Sequence, residues 1–329
     1  MIGFYSLSEI LLLTAAAIAI DWIVGDPKWP THPVIWIGRL IRLLEGKLRA
    51  KEQLQGRSPA AIKASGVCLT VLTLLASFGI MWLIIAAADW IHPWLGNAAS
   101  AWFISTTIAV KGLGQAAMLV YRPLVSGNLA DARKYVGYIV GRDTDRLSEE
   151  EASRATVETV AENTVDAFVS PILFALIGGA PLAMLYRAAN TLDSMVGYRN
   201  EKYADFGWCS ARTDDVLNYI PARITGLLLS LSALLQRGMS GTRAWRSIRQ
   251  FARLHPSPNS GIPESAVAGA LGIELGGLNY YFGQPSERAR MGWPLRKLEA
   301  ADILHATRLL YLTSILIMAG VLIVWYFVH

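Results

Sequence analysis

Two long runs without a charged side chain constrain this sequence more than any other feature. Residues 64–88 form a run of 25, and residues 309–329 form a run of 21. A helical run of about 20 residues is long enough to cross the hydrocarbon core of a bilayer, which is about 30 Å thick. The chain is therefore predicted to be a multi-span membrane protein.

The composition agrees with this prediction. Of the 329 residues, 53% are hydrophobic, 17% are charged and 11 are tryptophan, and the mean hydropathy is +0.37. Such values are typical of membrane proteins rather than of soluble globular ones. Residues 1–22 lack a positively charged leader and a convincing small-residue cleavage site, so we interpret them as a retained first span.

The apolar segments predict an all-α, polytopic integral membrane protein with about five to six membrane segments and polar cytoplasmic loops. We interpret residues 1–329 as a single membrane-embedded catalytic domain. The excess of Lys and Arg in the segments 25–63 and 236–305 indicates that both lie in the cytoplasm. The candidate spans are 7–24, 65–88, 98–120, 167–186, 216–235 and 307–327, and the candidate cytoplasmic loops are 25–63, 121–166 and 236–305.

The candidate span 167–186 contains several helix breakers: Pro171, Pro181 and the pair Gly178–Gly179. This composition is typical of a broken or re-entrant helix that lines a cavity. A re-entrant or strongly kinked hairpin would return residues 187–215 to the cytoplasmic side. We predict that topology because these residues are the most polar in the chain.

An acidic stripe precedes this span. Glu158, Glu162 and Asp166 are four residues apart, so on a helix they share one face. Ser148, followed by three glutamates, predicts a capped helix start ahead of the stripe. A solvated helix face paired with Arg142 or Arg154 is one interpretation. We favour a functional site, because carboxylates near the bilayer interior are costly unless they face a cavity, a partner or a cation.

Residues 187–215 combine acidic, amide and basic side chains. Carboxylate and amide oxygens suit magnesium, and interleaved Arg and Lys suit phosphate, so the mixture predicts a site for a magnesium-phosphate compound. A juxtamembrane loop with mutually neutralising charges is the equally weighted alternative. The side chains concerned are Arg187, Asn190, Asp193, Arg199, Lys202, Arg212, Asp214 and Asp215.

Two further segments carry turn signals. In residues 255–283, prolines and Gly261 predict a turn-rich loop, after which Glu264 opens a small-residue helix. Gly272, Gly276 and Gly277 would let a ligand approach the backbone closely. No lysine follows the glycines and no GxGxxG is present, so neither a Walker loop nor a dinucleotide fingerprint is predicted. The other segment, residues 25–34, places Asp26 and His32 in a turn stiffened by prolines.

These residues leave two classes of protein open. One is a membrane enzyme that acts on a magnesium-phosphate substrate, and the other is a transporter with a polar site at the membrane midplane. An intramembrane transferase acting on a diphosphate is partly supported by the NxxD spacing of Asn190 and Asp193. The dense DxxDGxxAR run of CDP-alcohol phosphotransferases is absent from the sequence.

Long motifs in the chain resemble the CobD/CbiB family of cobalamin biosynthesis. The resemblance runs in order from about Asp21 to Gly283 and covers most of the chain. Three segments carry it: GDPKWPTHPVIWIGRLI from Gly25, ENTVDAFVSPILFALIGGAPLAMLYRAANTLDSMVGYRNEKYADFGWCSARTDDVLNYIPARI from Glu162, and SPNSGIPESAVAGALGIELGGLNYYFG from Ser257.

This resemblance implies the activity of an adenosylcobinamide-phosphate synthase. Such an enzyme is a ligase that joins (R)-1-aminopropan-2-ol, or its O-phosphate, to a carboxylate of adenosylcobyric acid. It implies magnesium, ATP as a co-substrate, and a multi-pass location in the bacterial cytoplasmic (inner) membrane. The expected partners are these substrates, the lipid bilayer and other late cobalamin-pathway enzymes. No nucleic acid is expected, and the oligomeric state is not predicted.

The resemblance also suggests roles for individual residues. Magnesium is assigned to Glu158, Glu162, Asp166 and Asp193, with Asp214 and Asp215 as further candidates. The expected cofactor-binding residues are Asn163, Asn190, Arg199, Arg212, Asn259, Gly261 and Glu264. The expected catalytic residues are Arg187 and Lys202, which hold phosphate, and Asp26 or His32 as the base that deprotonates the ammonium. The expected stacking residues for a flat corrin are Tyr280, Tyr281 and Phe282.

Two alternatives predict different behaviour. A transporter for a corrinoid or a related ligand would often show two halves of similar hydropathy, and this sequence has none. A membrane scaffold that assembles other pathway enzymes would tolerate changes to the acidic residues.

Overall fold

The structure is a computed structural model that describes residues 5–25, 29–53, 58–198, 200–281 and 283–329. Three residues with a predicted role, Asp26, Arg199 and Phe282, lie outside the described residues. The described chain is mostly α-helical. Its α-helices are α1 Leu7–Ile23, α2 Pro33–Gln53, α3 Pro59–Ile91, α4 Pro93–Ser105, α5 Val110–Val125, α6 Leu129–Val136, α7 Glu149–Thr164, α8 Ser170–Val196, α9 Trp208–Leu217, α10 Tyr219–Leu234, α11 Gly241–Phe251, α12 Gly261–Leu271 and α13 Ala301–Val328.

Several of these helices are long and apolar enough to cross a membrane, which confirms the prediction of an all-α membrane protein. Four such segments are found among the described residues: Pro59–Ile91, Pro93–Val125, Glu149–Val196 and Ala301–Val328. Helices α9 and α10 meet at an angle of 46° and would make a fifth segment if they form one bent span.

The predicted first span, residues 7–24, corresponds to a shorter helix. Helix α1 has 17 residues, a length of about 25 Å, which is less than the thickness of the hydrocarbon core. It begins where Ser6 and Glu9 form a reciprocal capping box. It ends just before Gly25, which has a φ of 78°. These local signals limit the helix more strictly than its apolar composition does.

The predicted span 98–120 is interrupted. Helix α4 ends at Ser105 and helix α5 begins at Val110. The hydroxyls of Ser105, Thr106 and Thr107 each donate to a backbone carbonyl three residues earlier, at 2.7–2.8 Å. Such local bonds offer the backbone an alternative to helical hydrogen bonding.

The predicted break within residues 167–186 is confirmed. Helix α8 contains two non-helical residues, Gly178 with φ −154° and Gly179 with φ 66° and ψ −156°. Only glycine readily adopts the second of these conformations. The side of the bilayer that residues 187–215 face stays a prediction.

The chain divides into two compact units, which are described separately. Unit 1 comprises Met1–Ile108, Ser170–Asn218 and Val321–His329, and unit 2 comprises Ala109–Val169 and Tyr219–Gly320. The interpretation of the chain as one catalytic domain stays a prediction. In unit 1, helices α1 to α4 pack with α8 and α9. Their core includes Ile37, Leu69, Ile85, Leu192 and Phe206.

Close packing in unit 1 leads to a prediction for Gly66. A Cβ at this position would lie 1.9 Å from the carbonyl oxygen of Phe206. We expect Gly66→Ala to lower the free energy of unfolding by about 1–3 kcal/mol, because overpacking strains a core by that amount. Gly79→Ala, in the same helix, is the matched control, because no described atom lies within 4 Å of its Cβ position. Denaturant unfolding in detergent measures both, and equal stability of the two variants would contradict the packing.

Unit 2 contains a two-stranded sheet that the sequence did not predict. Strand β1, Leu275–Tyr281, pairs antiparallel with strand β2, Gln284–Met291. A bulge between Leu275 and Gly277 gives Gly276 a φ of 87°, and a Cβ there would lie 2.1 Å from the Ala289 carbonyl oxygen. The prediction that Gly276 leaves room for a ligand is therefore wrong, because the facing strand occupies this space. Gly272, likewise, ends α12 in the left-handed conformation.

Candidate functional site

The acidic stripe lies on a helix whose start was predicted. Ser148 Oγ accepts the backbone N–H of Glu151, and the Glu151 carboxylate accepts the N–H of Ser148, which confirms the predicted cap. Helix α7 then runs to Thr164 and continues as a π-helical turn, Val165–Val169. Asp166 lies in this turn, which hydrogen-bonds with an i→i+5 pattern and often marks functional positions.

Both carboxylate oxygens of Glu158 accept hydrogen bonds from other residues of unit 2. Its Oε2 accepts a hydrogen bond of 2.8 Å from Arg142 Nη2, and its Oε1 accepts one of 2.8 Å from the backbone N–H of Gly276. The side chains of Arg142 and Glu158 are 5% and 7% exposed. Arg142 also donates to the side-chain oxygen of Asn279. Arg142 was considered as a surface partner of the stripe, but the ion pair that it forms is buried.

A small polar cavity of about 120 Å³ adjoins this ion pair. The carboxylates of Glu158 and Glu162 line it together with two guanidinium groups, so it offers both signs of charge. Its other polar side chains can donate or accept hydrogen bonds without adding charge. The polar lining is Arg142, Glu158, Thr159, Glu162, Asn163, Tyr281 and Arg288.

A turn and a buried helix complete the surroundings of these carboxylates. Ser260 Oγ donates to Glu162 Oε1 at 2.8 Å. Glu264, in the first turn of helix α12, is 1% exposed. Its Oε1 lies 3.9 Å from His255 Nε2. We refer to Arg142, Glu158, Glu162, His255, Glu264 and Arg288 as the Glu158 cluster.

A second group of polar side chains lies in unit 1, at the C-terminal half of helix α8. Arg187 Nη1 donates to Asn190 Oδ1 at 3.4 Å, and Asn190 is also hydrogen-bonded to Asp214 of helix α9. Asp214 Oδ2 accepts a bond of 3.0 Å from Asn218, and the negative charge of Asp193 acts on Asp214. We refer to Arg187, Asn190, Asp193 and Asp214 as the Asp214 cluster.

Two atoms of the Asp214 cluster are buried without an internal partner. Within the part of the chain that the structure describes, neither Arg187 Nε nor Asp214 Oδ1 has a hydrogen-bond partner. A buried polar atom left unpaired costs about 1–3 kcal/mol, so such atoms are candidates for ligand contact. A guanidinium N–H is a good donor to phosphate, and a carboxylate oxygen is a good ligand for a hard cation.

His32, Lys202 and Arg212 form ordinary turn contacts or surface ion pairs. His32 Nδ1 accepts the N–H of Val34 at 3.3 Å, at the start of helix α2. Lys202 pairs with Glu45, and Arg212 with Asp215, each at 3.5 Å. The cation of each of these pairs is largely exposed.

The predicted residues of the segment 255–283 lie in unit 2. Asn259 accepts a hydrogen bond of 3.2 Å from Arg223. Gly261 opens helix α12, where a Cβ would lie 2.2 Å from the carbonyl oxygen of Ala252.

The carboxylates of the Asp214 cluster fit a magnesium ion better than Glu158 does. No group of three His, Cys, Asp or Glu side chains suited to a metal is found among the described residues. Magnesium does not require one, because it is usually bound by one or two carboxylates together with substrate phosphates and water. Both oxygens of Glu158 are engaged, whereas Asp214 has a buried oxygen without an internal partner. The donor set of Asp193 and Asp214 therefore fits magnesium.

Three side chains of the Glu158 cluster were missed from the sequence as site residues: Arg142, His255 and Arg288. Arg142 and Arg288 are distant in sequence from the carboxylates, and none of the three lies in a recognisable spacing motif. The signal in the chain was the HPSPNS turn before Glu264, which brings His255 beside that glutamate.

Comparisons with known proteins agree with the motifs. The family model described as "CobD/Cbib protein" matches residues 14–310. The chain is 47% identical over 305 residues to cobalamin biosynthesis protein CobD of Geobacter metallireducens, covering 93% of both chains. It is 47% identical over 310 residues to CobD of Klebsiella pneumoniae, and 45% identical over 310 residues to cobalamin biosynthesis protein CbiB of Salmonella typhimurium. Each of these two matches covers 94% of this chain and 95% of the relative.

No solved structure matches the chain. The family model confirms the resemblance that the sequence motifs indicated. The relatives confirm it too, because each alignment covers almost the full length of both chains. The chain therefore belongs to the CobD/CbiB protein family.

Proposed function

We propose that this chain is an adenosylcobinamide-phosphate synthase of cobalamin biosynthesis, a ligase that forms a carbon–nitrogen bond with ATP as co-substrate. The names of the relatives support a role in this pathway. The observation that carries the proposal is the Asp214 cluster, in which an unpaired guanidinium N–H and an unpaired carboxylate oxygen occur together among the described residues. This combination suits a magnesium-bound phosphate.

The proposed reaction has two steps. A carboxylate oxygen of adenosylcobyric acid attacks the γ-phosphorus of ATP, the bond from that phosphorus to the β-phosphate oxygen breaks, and ADP leaves. The nitrogen of the aminopropanol substrate then attacks the acyl carbon. The bond from that carbon to the phosphate oxygen breaks, the nitrogen loses a second proton to the leaving phosphate oxygen, and hydrogen phosphate leaves. Before its attack, the nitrogen must lose one proton of its ammonium form.

In this proposal the Asp214 cluster holds the phosphates. Asp193 and Asp214 would hold magnesium, which neutralises negative charge on the transferring phosphoryl group when it is bound. Arg187 would donate its Nε–H to a phosphate oxygen. Asn190, between Arg187 and Asp214, orients both side chains through its hydrogen bonds.

The cavity of the Glu158 cluster is proposed to hold the amine. Its volume of about 120 Å³ suits a molecule of a few heavy atoms rather than a corrin. Glu162 would bind the ammonium group, and Arg288 would face a negative group such as a phosphate ester. Because the cavity is lined by both carboxylates and guanidinium groups, it suits a small molecule that carries both a positive and a negative charge.

The long apolar helices support a multi-pass location, which we assign to the cytoplasmic membrane, where ATP is available on one side. The experiment that tests the function uses the full chain purified in detergent. Adenosylcobyric acid, aminopropanol phosphate, ATP and magnesium are supplied, and the corrinoid products are identified by mass spectrometry. We expect one amide and one ADP per turnover.

The opposing result separates the ligase from a transporter. If the purified protein forms no amide, but vesicles containing it accumulate a corrinoid, the ligase proposal is wrong. A scaffold predicts neither amide formation nor accumulation.

A further inference from the structure

His255 and Glu264 form a buried pair that the proposed reaction has not yet used. Their side chains are 6% and 2% exposed, and His255 Nε2 lies 3.9 Å from Glu264 Oε1. Neither atom has a hydrogen-bond partner among the residues that the structure describes. A separation of 3.9 Å is too long for a hydrogen bond, but a small rotation of either side chain would close it.

The other ring nitrogen of His255 indicates where its proton lies. Nδ1 is 3.0 Å from the backbone N of Ser257 and 3.3 Å from the Ser257 carbonyl oxygen. The shorter contact makes Nδ1 an acceptor, so the neutral imidazole carries its proton on Nε2. Nε2 is also the ring nitrogen that lies 3.9 Å from Glu264 Oε1.

The charges around Glu264 come from three elements of unit 2. Glu158 and Glu162 belong to helix α7, Arg142 precedes that helix, and Arg288 belongs to strand β2. With Glu264 ionised, three carboxylates would face two guanidinium groups. With Glu264 protonated, the numbers of positive and negative charges are equal.

The protonation states follow from this environment. Burial raises the pKa of the Glu264 carboxyl well above its usual range, and the negative charges of Glu158 and Glu162 raise it further, against the opposing effect of Arg288 and Arg142. Burial lowers the pKa of the His255 imidazole. Both shifts favour the uncharged forms, a neutral imidazole and a protonated carboxyl, and with these forms two carboxylates face two guanidinium groups.

We propose that Glu264 is the group that accepts the proton of the amine substrate, and that His255 is a positioning residue that stabilises its carboxylate. This assignment rests on the proposed ligase function. When an ammonium group enters the cavity beside Glu162, its positive charge favours ionisation of Glu264. The O–H bond of Glu264 breaks, its proton leaves to the solvent, and His255 Nε2–H donates to the resulting carboxylate.

The proton transfer then returns Glu264 to its protonated form. One N–H bond of the ammonium breaks, its electron pair becomes the lone pair of the amine, and the proton forms an O–H bond with Glu264. Counted together with the substrate nitrogen, the cluster has three positive and three negative charges before this step and two of each after it. The neutral amine is now able to attack the acyl carbon.

The experiment compares two nucleophiles in the full chain in detergent. Glu264→Gln keeps the shape of the side chain but cannot accept the proton. We expect amide formation from aminopropanol phosphate to fall by about 100-fold or more, the usual contribution of a general base. Hydroxylamine is largely unprotonated at neutral pH, so it should give the hydroxamate of adenosylcobyric acid at a rate close to that of the original protein. Glu287→Gln, on the exposed face of strand β2, is the matched control and should retain both rates.

His255→Phe supplies a second measurement, because phenylalanine keeps a ring of similar size but has no N–H donor. Without that donor, the ionised form of Glu264 is less stable, so the acidic limb of the kcat/KM profile should move to higher pH. If Glu264→Gln lowers hydroxamate and amide formation equally, or leaves both unchanged, Glu264 is not the proton acceptor. An unmoved acidic limb in His255→Phe would overturn the role of His255. If the original protein forms neither product, the ligase function itself fails, which distinguishes this outcome from the other two.

Discussion

Asp214→Asn should lower ATP-dependent amide formation by about 100-fold or more. In the proposed site Asp214 is a direct magnesium ligand, and even residues that only support a metal ligand typically cost 10–100-fold when they are replaced. The asparagine can still accept from Asn218, as Asp214 Oδ2 does at 3.0 Å, so the fold should be preserved. Initial rates measured over a range of magnesium concentrations would show whether the apparent affinity for the ion falls together with kcat.

Asp205→Asn is the matched control for this experiment. Asp205 lies in the same unit and pairs with Lys63 at 3.4 Å at the surface, where an ion pair contributes little. We expect its rate and its magnesium dependence to match those of the original protein. If Asp214→Asn retains full activity at low magnesium concentration, the Asp214 cluster does not hold the ion, and the proposed function loses its main support.

Arg142→Met should strongly destabilise unit 2. It would remove the guanidinium from Glu158 while leaving the carboxylate buried, with Gly276 N–H as its other partner. Breaking a buried ion pair from one side typically costs about 3–5 kcal/mol, because an uncompensated charge remains. Unfolding of the purified chain by denaturant in detergent would measure the loss.

A double variant separates the pairing from the lost packing. Arg142→Met combined with Glu158→Gln removes both charges, so it should be more stable than Arg142→Met alone. Arg290→Met is the matched control, because Arg290 pairs with Glu274 at the surface and is 62% exposed; it should be close to the original protein. Equal losses for Arg142→Met and Arg290→Met would mean that burial does not strengthen the Arg142–Glu158 pair.

Local patterns in the sequence were sufficient for much of the helical architecture. The uncharged run 64–88 lies within helix α3, and the run 309–329 overlaps helix α13. The cap at Ser148 and the break at Gly178–Gly179 also appear as predicted. These features depend on neighbours within a few residues, namely apolar length, a capping side chain or a glycine conformation. They can therefore be inferred from the chain alone.

The limits of prediction were also local in origin. The break between α4 and α5 depends on hydroxyl bonds to nearby carbonyls, which compete with an otherwise suitable apolar run. The hairpin of β1 and β2 was not predicted because Leu275, the first residue of β1, is followed by two glycines, which are usually depleted in strands. Pairing with the second strand outweighs that weak preference.

In the candidate sites, the sequence determined which residues are present, and the tertiary structure decided which of them meet. The sequence specified which carboxylates occur at helical spacing, and motif resemblance specified the family. It did not specify that both oxygens of Glu158 are bound by Arg142 and Gly276, or that His255 faces Glu264. Glu158 and Gly276 are 118 residues apart in the chain, and His255 reaches Glu264 only through the conformation of the turn between them. Their burial, and hence their charge state, exists only once helices, turn and hairpin have packed, because the loss of water makes an unpaired polar atom costly.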